Sequence, residues 1–171
     1  MKRGLISILI LTTIIIVGYS QSFSKRYTIA FYNVENLFDT INSPNVNDIE
    51  FTPTGPNRWN SAKYYKKLSN LDEVFYTMAM ATKGFPTMIG LAEIENRNVL
   101  EDLVSQPNML KANYQIAHFD SPDARGVDVA LLYRPDQFFY KGSKPIRYTL
   151  SENPRFRTRD ILMAWGEIDG E

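Results

Sequence analysis

The chain has no cysteine and a single histidine, His118. The first absence excludes a disulfide framework, thiolate metal ligation and a lipid-anchored cysteine. The second leaves oxygen atoms as the main means of holding a metal ion. A charge imbalance is missing too, since 19 basic residues face 19 acidic ones. No apolar run reaches the roughly 20 residues that a membrane-spanning helix needs. The longest, Leu5 to Val17, covers 13 residues and follows Lys2 and Arg3. With small residues at Gly18-Tyr19-Ser20, this is the pattern of a secretory signal peptide cleaved before Gln21. Residues 1–20 are therefore expected to be a signal peptide and 21–171 the mature domain. That domain would be exported, periplasmic or secreted, with no stable membrane association after cleavage. Cleavage removes two bases and no acid, leaving 17 basic against 19 acidic residues. Such a balance carries no overall electrostatic footprint for nucleic acid. A phosphate-bearing substrate would thus need local basic residues and a bound cation.

What is present is ample material for one packed domain: 44% hydrophobic and 13% aromatic residues in 171. The stretch Gly90-Leu91-Ala92-Glu93-Ile94-Glu95-Asn96 organises the rest. The apolar run Met88 to Ala92, set off by Gly84 and Pro86, reads as a strand buried on both faces. Its carboxyl end delivers Glu93, where open α/β sheets border their ligand crevice. Period two places Glu95 on the same side if the strand continues. The alternative is that both are solvated acids at a strand exit.

A second strand, 27–33, ends in Asn33-Val34-Glu35-Asn36-Leu37-Phe38-Asp39, so two strand ends carry amide and carboxylate groups. Residues 40–60, rich in Asn, Pro, Asp, Thr and Gly, mark a long excursion rather than an element. Loops beyond about 12–15 residues in a compact domain are usually functional or mobile. Ser61 or Asn60 caps a helix expected to run to about Thr82, with Tyr65, Leu68, Leu71, Phe75, Met78 and Ala79 as its apolar stripe and Gly84 as its stop. Asn98-Val99-Leu100-Glu101 has capping-box spacing for a second helix reaching about Gln106. Strands are expected at 114–119 and 127–133, then at 137–140, 146–150 and 161–168. The first half alternates β and α, and the second is β-rich and hairpin-like, which is an α/β (α+β) plan.

The strand ends carry Asn33, Glu35, Glu93 and Glu95, and the loops carry Arg125 and Arg159. Carboxylate and amide oxygens suit hard cations such as Mg²⁺, Mn²⁺ or Ca²⁺, and the arginine fork suits phosphate oxygens. His118, as a lone imidazole, reads as a packed or surface residue rather than a base.

In four places these residues resemble the endonuclease/exonuclease/phosphatase superfamily, which includes deoxyribonuclease I-like enzymes, sphingomyelinases and inositol polyphosphate phosphatases. The stretches are Tyr32 to Asp39, Gly90 to Asn96, Arg125-Gly126-Val127-Asp128-Val129-Ala130-Leu131-Leu132-Tyr133, and Arg157-Thr158-Arg159-Asp160-Ile161-Leu162. Glu50-Phe51-Thr52-Pro53-Thr54-Gly55 and Trp59 are similar to an exported bacterial branch. The resemblance implies a four-layer α/β/β/α sandwich that hydrolyses a phosphodiester or phosphomonoester, possible nucleic acid included, with a divalent cation, usually Mg²⁺. Carried over by motif, Glu93 is the carboxylate metal ligand, Asn33 the amide that orients the metal site, and Arg125 a phosphate contact. The family's later motifs, an Asn-His-Trp-like stretch, Asp-Phe-Asn and Ser-Asp-His, do not occur in residues 1–171. The resemblance therefore implies about the first half of a domain, incomplete for catalysis. The alternative is a non-catalytic binding or assembly module that pairs its open sheet with another chain.

Overall fold

A computed structural model describes residues 25–171; the expected signal peptide falls in residues 1–24, outside the described residues. The chain runs β1 (Ile29–Leu37), α1 (Ser61–Thr82), β2 (Met88–Ile94), α2 (Arg97–Val104), β3 (Gln115–His118), β4 (Asp128–Tyr133), β5 (Phe139–Ile146) and β6 (Ile161–Glu167). Four strands form a mixed sheet in the order β1-β2-β4-β3, and β5 and β6 form a separate antiparallel pair. β1 and β2 are parallel, as a connection through a helix requires, while β4 runs antiparallel to both β2 and β3.

Alternation assigns the two faces of the sheet. Ala30, Tyr32 and Val34 of β1, Ile89 and Leu91 of β2, and Ala130 and Leu132 of β4 turn toward α1 and α2, where Leu68, Phe75, Val99 and Leu103 complete the core. The intervening Phe31, Met88, Gly90, Val129 and Leu131 turn the other way and line a cleft of about 500 Å³ closed on its far side by β6. Helices, sheet and a second small sheet are thus stacked in that order, an α/β arrangement as expected. Gly90 is required where it stands, because a Cβ there would lie 2.7 Å from the Phe31 ring.

Helix α1 has the expected limits. Asn60 caps it by accepting the Lys63 N–H at 3.1 Å. Lys83 turns left-handed at its end, and the Gly84 N–H returns to the Ala79 carbonyl at 2.8 Å. Its inward aromatic is Tyr64 rather than the expected Tyr65, because the Tyr64 hydroxyl finds a partner in Asp102 at 2.7 Å while Tyr65 stays exposed. Asp72 on the same face is buried and accepts the N–H groups of Asn108 and Met109, tying the turn after α2 to α1. Helix α2 starts two residues earlier than its capping-box spacing predicts: Asn96, not Asn98, accepts the Val99 N–H at 3.1 Å.

Two further expectations are corrected. Of the separate strands expected at 137–140 and 146–150, the first extends instead as β5 to Ile146, bulging between Tyr140 and Gly142 and running through Pro145, while residues 147–149 lie outside any strand. A two-stranded pair leaves each strand one free edge, so a proline lacking an N–H is tolerated there. The excursion 40–60 is packed rather than loose. Phe51 stacks on Phe38 with ring centroids 4.2 Å apart, the Trp59 indole N–H donates to the Phe38 carbonyl at 3.0 Å, and Gly55 lies where a Cβ would meet the Ile49 carbonyl oxygen.

Candidate metal and phosphate site

The parallel pair β1 and β2 is broken at one level. Pairing slips in β1 between Asn33 and Leu37 and in β2 between Ala92 and Ile94. Glu35 and Asn36 have φ of 54° and 61°, and Glu93 has φ of 68°. Left-handed backbone costs a non-glycine residue about 1 kcal/mol or more, and it clusters where a site fixes it. Here the two bulges face each other: the Asn36 N–H donates to Glu93 Oε2 at 3.1 Å. Glu93 Oε1 accepts no hydrogen bond among the described residues; its nearest cation is Arg159, with Nη1 at 3.9 Å. The Glu93 side chain is 16% exposed. A mostly enclosed carboxylate oxygen without a donor suits a hard cation.

Asn33 sits opposite Ala92 in the register, one residue before Glu93, and its side-chain oxygen accepts the Glu35 N–H at 2.7 Å. That bond fixes the amide on the bulge. Lys67 of α1 donates to the Glu35 carbonyl at 2.7 Å. Burial lowers the pKa of its ammonium, while the carboxylates of Glu35 and Glu93 pull it back up. Arg125 lies apart from this group. Its backbone N–H and guanidinium both turn to Asp123, at 2.9 and 3.7 Å, and the guanidinium beside Glu93 belongs to Arg159.

β2 ends at Ile94, before Glu95, so the alternation expected to carry Glu95 to the side of Glu93 does not extend to it. It is buried and accepts the Asp39 N–H at 2.6 Å and the Ser43 hydroxyl at 3.0 Å. Burial pushes its carboxyl up to about 7, with the Asp39 and Asp48 charges adding to the rise and the two hydrogen bonds opposing it. Glu95 also borders a cleft of about 260 Å³ that reaches Asp120 and Asp128. Beside Asp128, His118 takes the packed one of its two expected places. Its Nε2 is 3.1 Å from Asp128, with the two side chains only 3% and 5% exposed. Asp120 completes a group whose possible ligand atoms lie within 4.8 Å of one another. Sequence reasoning missed this group, although antiparallel pairing of the strands at 114–119 and 127–133 brings His118 opposite Ala130.

The strand ends of this α/β sheet thus present oxygen donors beside guanidinium and ammonium groups. The profile of the endonuclease/exonuclease/phosphatase family matches residues 28–171, and the chain belongs to that family. Divalent metals are typical of its members. No curated protein and no solved structure gives a significant match.

Proposed function

We propose that the chain carries the metal- and phosphate-binding part of a site that hydrolyses a phosphodiester or phosphomonoester. The observation that supports this is the pair of facing bulges, which fixes Glu93 with one oxygen held by Asn36 and the other free of donors. Glu93 and Asn33 would hold the cation, Mg²⁺ or else Mn²⁺ or Ca²⁺, and Arg159, with Arg125 further out, would meet phosphate oxygens. When bound, the cation supplies charge neutralisation at the phosphoryl and leaving oxygens. The protein's own part is to hold Glu93 in one orientation through the Asn36 N–H and to set Asn33 through the Glu35 N–H.

The test is titration with Mn²⁺ followed by magnetic resonance or calorimetry. Glu93→Gln keeps the shape and removes the ligand charge, and it is expected to weaken binding at least tenfold. Glu95→Gln and Asp128→Asn are expected to change it little. If Asp128→Asn abolishes binding and Glu93→Gln does not, the ion belongs to the His118 group and the assignment is wrong.

A second reading, an assembly module, is favoured by the exposed Ile29 and Phe31 on the open face of the sheet. Export is also proposed, from the pattern of residues 1–20. The mature chain is expected to begin at Gln21 outside the cytoplasm; an intact amino terminus by mass spectrometry excludes it.

A further inference from the structure

Strands β5 and β6 leave their register at Ile146 and Ile161, and residues 147–160 form the loop between them. At the base of that loop Arg147 and Asp160 face each other, with Nε 2.7 Å from Oδ1. The Asp160 side chain is only 7% exposed and borders the mainly apolar cleft between the sheet and β6. Apart from the Arg147 guanidinium, its buried Oδ1 has no partner among the described residues. A carboxylate placed there needs a cation, because it has exchanged water for apolar neighbours. Arg147, itself more than half exposed, reaches in from solvent to supply one. Arg159, the residue before Asp160, is placed differently. It is half-buried, makes no hydrogen bond among the described residues, and stands with Nη1 3.9 Å from Glu93 Oε1. That separation is too long for a hydrogen bond, so the donors of its fork stay free beside the proposed metal ligand.

We propose that Arg147 is a positioning residue for the phosphate site: by neutralising Asp160 it keeps that carboxylate from drawing Arg159 away from Glu93. The inference rests on the reading of Glu93 as metal ligand and Arg159 as phosphate contact, and it adds the group that keeps the contact free. Arg159 has two carboxylates to choose between, Glu93 at 3.9 Å and Asp160 next to it in the chain. The buried one has the stronger demand, since an unpaired charge shut off from water is costly, whereas Glu93 already holds the Asn36 N–H. With Arg147 in place, that demand is met from outside. Without it the Arg159 guanidinium is the cation at hand, and a fork closed on Asp160 has fewer donors left for a phosphate oxygen. No ion pair joins Arg147 to Glu93 among the described residues, so its action passes through Arg159. Tyr148 and Phe156 pack edge-to-face across the same loop at 6.2 Å, so the loop does not depend on the ion pair alone for its shape.

The experiment titrates phenylphosphonate, a probe that is not hydrolysed, into the chain saturated with Mn²⁺ and follows binding by calorimetry. The wild type is expected to bind. Arg159→Gln should weaken binding about tenfold or more, the scale of a lost hydrogen bond to a charged group. Arg147→Gln should weaken it by a similar factor, and Arg147→Lys, which keeps the charge, by much less. The deciding variant combines Arg147→Gln with Asp160→Asn. It removes the carboxylate that Arg147 neutralises, so it is expected to restore most of the affinity lost in Arg147→Gln. A residue that only braced the loop, or that touched the phosphonate itself, would not be rescued in this way. Circular dichroism checks that each variant folds. No phosphonate binding by the wild type, unchanged affinity in Arg147→Gln, or a loss that Asp160→Asn does not restore overturns the proposal. Its failure is distinct from that of the reading it rests on. Loss in Arg159→Gln without loss in Arg147→Gln removes the positioning role and leaves the phosphate contact. If Glu93→Gln fails to weaken Mn²⁺ binding while the rescue is seen, the metal assignment falls and the positioning role stands.

Discussion

The two faces of the four-stranded sheet are made of equally apolar residues and meet opposite fates. On the helix side Leu68, Phe75, Ile89, Leu91 and Leu132 are wholly buried. On the other, Ile29 and Phe31 are 71% and 70% exposed, although Leu162 and Ala164 of the facing β6 line the same cleft. Period-two alternation of an apolar strand says only that both faces want cover. What decides stability is whether an element is there to supply it: α1 and α2 seal one face, while the pair β5 and β6 leaves a cleft of about 500 Å³ over the other. Open apolar area of this kind marks an interaction surface or an aggregation liability.

The largest expected effect follows directly from that contrast. Phe75→Ala should cost about 3–5 kcal/mol, because it opens a cavity in a filled core. That is a large share of the 5–15 kcal/mol typical of a domain. Phe31→Ala should cost less than about 1 kcal/mol, since most of the ring already faces solvent. Denaturant titration of both variants, with solution mass measured over a concentration series, checks the contrast. The wild type is expected to self-associate, and Phe31→Ala to reduce that association. Equal destabilisation by the two variants, or a monodisperse wild-type monomer with a cooperative melt, breaks the comparison and shows that the second face is covered within one chain.

The covered face was also the legible one. Helix α1 could be placed to the residue because its apolar spacing, its Asn60 cap and the stop at Gly84 all agree. The central strand was legible from its run of apolar residues between Gly84 and the paired acids. The open side misled. The strands expected at 137–140 and 146–150 leave out Gly142 and Pro145, yet Gly142 admits the Trp165 ring, which a Cβ would meet at 2.6 Å, and Pro145 lies in a strand with a free edge. At the site, Glu93 was placed correctly at a strand exit, but its left-handed backbone leaves no mark in an ordinary glutamate. The slip at Glu93 that ends the strand before Glu95 could not be foreseen either.

The smallest expected effect sits where the two faces meet, at the exit of β2. Buried Glu95 titrates at about 7 in the folded chain, against 4.5 for an ordinary glutamate. Between those values the folded state keeps a proton that the unfolded state has released. The contribution is therefore fully present below about pH 4.5, declines as pH rises through about 7, and is flat above that. Allowing for solvent screening, the decline is on the order of 1 kcal/mol. Glu95→Gln is uncharged throughout and can still accept the Asp39 N–H, so it should remove this part of the pH dependence and leave the variant the more stable of the two above pH 7. Denaturant titrations of both proteins from pH 4 to pH 8, in EDTA so that no metal competes for the nearby Glu93, read the difference directly. A difference that does not change across the window means that Glu95 remains ionised in the fold, its hydrogen bonds from Asp39 and Ser43 outweighing its burial.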